Sequence, residues 1–252
     1  MNKYKKKAVN LSISTLIVFA IWILLSKTVA EGKMGIPTPI EVFKALIELI
    51  NEGLLFNYIG ISLYRFLVGY LSAVVVAVIL GLILGWYRKA FDIVDPILQV
   101  LRPISPTAWF PFIVIFFGIG NLPAIVIIFL SSFYTMLLST ASAIRKSDNS
   151  YIKVAQNFEI RGIKFMLKIV LPAIFPYIAN SLHIALGSAW IFLVAGEMVG
   201  AQSGLGYLII DARNNLRCDM LLLGIILIGI IGLILDKLIG KFEKAIIKKW
   251  GN

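Results

Sequence analysis

The chain has 252 residues, 60% of them hydrophobic and 15% charged, with a mean hydropathy of +0.93. A soluble domain of this size must cover its surface with polar groups and rarely exceeds half apolar residues. This composition therefore all but excludes a soluble enzyme or a nucleic-acid-binding domain. The apolar residues come in blocks that approach or exceed the roughly 20 residues needed to cross a bilayer. The fold class expected is all-α, a polytopic membrane protein. In such a chain the net charge of +11 reads as cytoplasmic loops facing anionic lipid rather than as affinity for nucleic acid. The single cysteine, Cys218, excludes an internal disulfide or a CxxC site. The single histidine, His183, argues against a His-based metal or catalytic cluster. No cofactor and no metal are expected.

The first apolar block, residues 11–25, follows Lys3, Lys5, Lys6 and Lys7. A basic start and a short apolar stretch also describe a secretory signal. The residues around Lys27 and Glu31 make a poor cleavage site, however, so the block reads as an uncleaved first helix. Thr38 and Glu41 then fit a capping box, with Pro39 at the first helical position. Val42, Leu46, Leu49 and Ile50 recur at helical spacing, with Lys44, Glu48 and Glu52 elsewhere. This predicts a short amphipathic helix along the membrane rather than through it.

Residues 66–87 form a second span. Asp95 and Pro96 look like the N-cap and first position of a third, running over 96–117 with Arg102 near its cytoplasmic start and Pro103, Pro106 and Pro111 inside it. Residues 118–123 form a tight turn, since the uncharged run from 107 to 144 is too long for one helix. A fourth span covers 123–143, a fifth 173–195 and a sixth 220–239. With the N-terminus inside, 18 of the 24 Lys and Arg residues fall in cytoplasmic segments and 6 outside. That bias predicts six spans with both ends cytoplasmic.

The chain has no GxxxxGK[ST] phosphate loop. No span centre carries a pair of opposite charges, although an ion-coupled carrier usually needs intramembrane ionisable groups, each costing about 2.5–3.5 kcal/mol at a span centre. Glu197, at the outer end of the fifth span, reads first as an interfacial carboxylate. No channel filter is evident. Energy for any transport must then come from another subunit.

Residues 147–172 are the most informative segment. Asp148 or Ser150 can cap a short helix on which Ile152, Ala155 and Phe158 share a face. Gly162 permits a break. Ile163, Met166, Leu167 and Val170 mark a second apolar face, and Pro172 is expected to stop that helix. A helix-turn-helix of this kind can dock in a groove on another protein. It can equally rest on lipid headgroups.

This loop resembles the EAA loop of inner-membrane permeases of binding-protein-dependent ABC transporters. The family pattern is EAA, three residues, Gly, nine residues, then Ile-x-Leu-Pro. Ile169-Val170-Leu171-Pro172 matches its end and Ala155 its second Ala. Lys153 and Val154 stand where Glu and the first Ala are usual, and Glu159 stands at the Gly. Elsewhere Pro37 to Val42, Ser62 to Tyr70, Asp95 to Ile104, Ala189-Trp190, Glu197-Met198 and Ser203 to Ile209 resemble the nitrate/sulfonate/taurine branch, in order and spacing.

The resemblance implies a type I ABC importer permease fold in a bacterial-type inner membrane. It also implies a permease domain over 58–240, flanked by residues 1–57 and a basic tail over 241–252. Two permease chains would form the pathway and an external binding protein would deliver the solute. Two separate ATP-binding subunits would dock on Ile152, Lys153, Ala155, Phe158, Glu159, Gly162, Leu171 and Pro172. The chain itself would be a transport subunit and not an enzyme. Its solute would be an aliphatic sulfonate, taurine or nitrate. Trp109, Phe112, Trp190 and Glu197 lie on proline- or glycine-bearing spans and are candidates for the pathway, against ordinary packing roles. Gly81/Gly85, Gly196/Gly200 and Gly224/Gly229/Gly232 are candidates for close helix approach. The competing classes are a secondary carrier, which would show inverted repeats, and an anchored scaffold, which would not need proline-broken spans.

Overall fold

The computed structural model describes residues 3–28, 35–146 and 163–249, all helices and turns with no strand among them. Helix α1 is Lys3–Thr28, α2 Pro39–Asn51 and α3 Leu54–Trp86. Next come α4 Arg88–Leu101, a 3-10 turn at Pro106–Trp109, α5 Phe110–Phe117 and α6 Asn121–Lys146. A helical lead-in at Ile163–Phe165 and Met166–Val170 opens α7, Leu171–Gly200. Helices α8, Leu205–Asn214, and α9, Cys218–Lys249, follow. Among the described residues four helices are long and apolar enough to cross a membrane: Leu54–Trp86, Asn121–Lys146, Lys168–Gly200 and Cys218–Lys249. The broken pair Arg88–Leu101 and Pro106–Phe117 makes a fifth if counted as one span.

Residues 1–60 with 203–229 pack as one unit. Its α2 begins with the expected capping box. Thr38 accepts from the Glu41 backbone N–H, and the Glu41 carboxylate accepts from the Thr38 N–H at 2.7 Å. Val42, Ala45 and Leu49 bury one face of α2 against Leu55, Leu208, Ala212, Met220 and Leu223. The opposite face leaves Ile40, Phe43 and Ile47 exposed, so α2 is apolar on two sides and not one. Trp22 of α1 packs on this core and donates to the Pro37 carbonyl at 2.9 Å.

Helix α8 ends in a Schellman turn. The Arg217 N–H reaches the Ala212 carbonyl at 2.8 Å and the Leu216 N–H reaches Arg213 at 3.2 Å. Leu216 takes the left-handed position (φ 56°) that glycine usually fills. The turn aims Arg217 at Glu48, with two parallel bonds of 3.0 and 2.8 Å, and at Asp219. Arg217 holds the Glu48 carboxyl below its usual range. This tie is therefore fully present above the ordinary carboxylate pKa and is lost as pH falls through the lowered one. Both side chains are about 40% exposed, so it is worth little in stability.

Residues 61–202 with 230–252 form the second unit. A Cβ on Gly69, Gly81 or Gly85 would meet Ile128, Thr140 or Ile144. Each partner lies at the same offset along the chain, so α3 and α6 run parallel in fixed register at backbone contact. Gly196 meets Ala124, and Ser139 hydrogen-bonds Ser181. Rising numbers on one helix meet falling numbers on the other, so α6 and α7 are antiparallel. Small residues permit this closeness where lipid supplies no hydrophobic drive between helices. A Cβ on Gly81 would sit 2.6 Å from the Thr140 Cβ, whereas nothing lies within 4 Å at Gly229. Gly81→Ala should accordingly destabilise the protein by about 1–3 kcal/mol. Gly229→Ala should be neutral or slightly stabilising, as alanine favours helix. Thermal unfolding in detergent compares the two, and equal shifts would contradict the register.

Two expectations need correction. Asp95 and Pro96 do not open a span. They lie inside α4, where the Asp95 carboxylate accepts from the Gln99 side chain at 2.6 Å. The third span is broken at its prolines, as their positions led one to expect. Pro103 lacks the N–H needed to extend α4, Pro106 starts the 3-10 turn and Pro111 sits in the first turn of α5. The two parts meet at 84°. Pro172 does not stop the preceding helix. The segment Met166–Val170 widens to π-helical bonding, with the Leu171 N–H reaching the Met166 carbonyl. That extra residue per turn absorbs the missing Pro172 N–H, and the helix continues into α7.

Candidate functional site

The second unit contains a cavity of about 640 Å³ between α6, α7 and the break after α4. Its polar wall is a stripe on α6, with Ser131, Thr135, Ser139 and Ser142 at helical spacing, facing Asn180, Ser181 and Ser188 of α7. Tyr134 lies beside them. Ile104, Pro106, Leu130, Leu138, Ile184 and Phe192 supply an apolar wall. Arg102 stands at the broken end of α4 and is the one charged residue of this lining. Several hydroxyls are committed to their own helices: Ser131 donates to Ile128, Ser181 to Tyr177 and Ser188 to Ile184. Tyr134, Thr135, Ser142 and Asn180 also line the cavity and, among the described residues, make no such bond. The sequence reading did not find this site. The hydroxyl stripe in an otherwise apolar span was the available signal.

A second feature sits between α3 and α7. Arg65 Nη1 donates to Glu197 Oε1 at 2.7 Å, with the two side chains 1% and 0% exposed. Ser62 donates to the same carboxylate at 2.8 and 2.9 Å, and Arg65 Nε donates to Asn121 Oδ1 at 2.9 Å, at the start of α6. The sequence reading gave Glu197 no partner, whereas it is buried in an ion pair with Arg65. Ionised groups out of water require such charge-assisted bonds. Arg65 and Glu197 both fall at the outer ends of their spans in the sequence reading. That shared level was the available clue, but 132 residues separate them.

His183 of α7 forms a third cluster. Its Nδ1 lies 2.7 Å from Asp236 and its Nε2 3.2 Å from Glu243, both on α9. Among the described residues no group of three or more His, Cys, Asp or Glu could hold a metal.

The other candidate residues fall as follows. Trp190 is buried, edge-on to Phe66 and against Gly232. Trp109 packs on the Phe110, Ile113 and Ile127 cluster, and Phe112 is 61% exposed. Neither these aromatics nor Glu197 borders the cavity. Leu171 and Pro172 open α7. Ile152, Lys153, Ala155, Phe158, Glu159 and Gly162 lie outside the described residues.

Residues 73–248 match the family described as binding-protein-dependent transport system inner membrane component. The nitrate import permease protein NrtB of Leptolyngbya laminosa is 32% identical over 96% of this chain and 90% of its own length. A Bacillus subtilis (strain 168) protein named for aliphatic sulfonates transport, the permease SsuC, is 30% identical over 94% of this chain and 85% of its own. A chain of the MetNI methionine ABC transporter, in an inward-facing conformation, superposes with a TM-score of 0.62. The superposition covers 80% of this chain and 98% of that one, at 18% identity, so the likeness is one of fold. The chain belongs to the family of inner-membrane components of binding-protein-dependent transport systems. It is an all-α, multi-pass membrane protein with an ABC importer permease fold.

Proposed function

We propose that this chain is the permease subunit of an ABC importer, forming the membrane pathway for a small solute that an external binding protein delivers. The observation that carries this reading is the cavity beside the broken span: polar groups face about 640 Å³ of space within an otherwise apolar bundle. A scaffold has no use for that arrangement, and solute sites are concave with few convergent polar groups. The relatives named for nitrate and aliphatic sulfonates favour a small anion of the nitrate, sulfonate or taurine class. Six spans are reached by adding α1 and counting α4 with α5 as one. The 18 to 6 distribution of basic residues then favours both termini inside. Residues 58–240 would be the permease domain proper, between the N-terminal helices of 1–57 and the basic tail of 241–252.

Two copies of the chain would enclose the route. Two ATP-binding subunits would dock on the loop ending at Leu171 and Pro172, with Ile152, Lys153, Ala155, Phe158, Glu159 and Gly162 as its contact residues. Trp109 and Phe112, three and six residues beyond the cavity-lining Pro106, would flank the route, as would Trp190 and Glu197. Purified chain in nanodiscs should show no ATP hydrolysis until its ATP-binding partner is added, since it lacks a phosphate loop. Hydrolysis by this chain alone would overturn the assignment.

A further inference from the structure

We propose that the cavity is itself a solute-binding subsite for a small organic oxyanion, with Arg102 as the residue that reads its charge. The inference rests on the permease reading and deepens it: selectivity would lie in this chain as well as in the binding protein. Arg102 is the one charged group of the lining among the described residues. Among the described residues of this lining, an anion meets an opposite charge and no like one. Its oxygens also meet donors. The Asn180 amide offers two N–H groups, and Tyr134, Thr135 and Ser142 offer hydroxyl protons not used within the described residues. The back-bonded serines, by contrast, turn lone pairs outward and serve the helices. The wall opposite is apolar, formed by Leu130, Ile184 and Phe192 among others. A charged head at Arg102 with a short alkyl tail along that wall uses both surfaces. An alkanesulfonate fits this division better than nitrate, which has no tail to bury.

The guanidinium also matches the head in shape, since its fork pairs two oxyanion oxygens at once, which a lysine ammonium does not do. The break after α4 makes this possible. The 84° bend leaves Arg102 at the broken end of α4, where it shares the cavity lining with residues of α6 and α7.

The test uses the full chain with its ATP-binding and binding-protein partners in proteoliposomes, with ethanesulfonate as the probe. Arg102→Gln should cut uptake about tenfold or more, the loss expected when one charge-assisted contact is removed. Arg102→Lys should retain part of the uptake. Unchanged uptake by Arg102→Gln would overturn the subsite and leave the permease assignment standing. Wild-type complex that neither hydrolyses ATP nor takes up solute would instead strike at the permease assignment. A second arm decides the subsite without transport. In a Cys218→Ser background, Ser142→Cys should react faster with an anionic methanethiosulfonate reagent than with its cationic analogue. Ethanesulfonate should slow the reaction, and Arg102→Gln should abolish the preference. Equal rates for the two reagents with Arg102 present would overturn the proposal.

Discussion

Glu197→Ala is expected to destabilise the protein by about 3–5 kcal/mol, the cost of stripping one partner from a buried ion pair. Arg65 is 1% exposed and would keep its charge without the carboxylate 2.7 Å away. Ser62 would lose its bond to this carboxylate in the same step. Arg65→Met should cost a similar amount for the mirror-image reason. The double variant Arg65→Met with Glu197→Leu should recover most of the loss, because an apolar pair of similar volume demands no desolvation. Denaturation of the purified chain in detergent, run as a double-mutant cycle, measures the coupling. Additive losses in the double variant would show that the two groups do not act together. Uptake should fall further than stability if the pair holds α3, α6 and α7 in the register that shapes the cavity.

The second large effect is expected at the cytoplasmic loop. Ile152, Ala155 and Phe158 recur at helical spacing in a segment otherwise rich in basic residues. If that face docks in a groove on the ATP-binding subunit, Phe158 is its anchor, as a buried aromatic commonly dominates such contacts. Phe158→Ala should weaken association by about 2 kcal/mol, roughly 30-fold. Ala155→Asp should do worse, since it forces an unpaired carboxylate into the contact. Lys153→Ala should matter less if it sits at the solvated rim. Pull-down of the cognate ATP-binding subunit, with permease abundance checked, reads all three. Normal recruitment by both Phe158→Ala and Ala155→Asp would remove the loop as the coupling element and favour its resting on headgroups.

The spans were legible because bilayer thickness imposes long apolar blocks, and a block needs no partner to be seen. The capping box at Thr38 and the turn at Gly118 and Gly120 were legible for a similar reason: each is set by a few adjacent residues. Positions that depend on a distant partner were not. Helix α3 runs from Leu54, and within it Ser62 and Arg65 are buried against Glu197 and not in water. Arg65 therefore looked like an outer-loop charge. The cavity stayed hidden because serine and threonine are common in membrane helices. Only the antiparallel pairing of α6 with α7 sets Thr135 and Asn180 around one space. The glycine pairs lay in between. Gly81 and Gly85 were visible as a spacing, but Thr140 and Ile144 as their partners required the register. Leu205–Asn214, a short helix of mixed composition, carried no periodic signal strong enough to notice.

The most direct test of the account is solute uptake by proteoliposomes that hold this chain with its ATP-binding subunit and binding protein. Labelled taurine or ethanesulfonate should enter only with ATP on the side of the ATP-binding subunit. Uptake should cease when that subunit's phosphate-loop lysine is replaced, and an imposed proton or sodium gradient should not restore it. Uptake driven by such a gradient, with the chain alone and without ATP, would contradict the assignment and make the protein a secondary carrier.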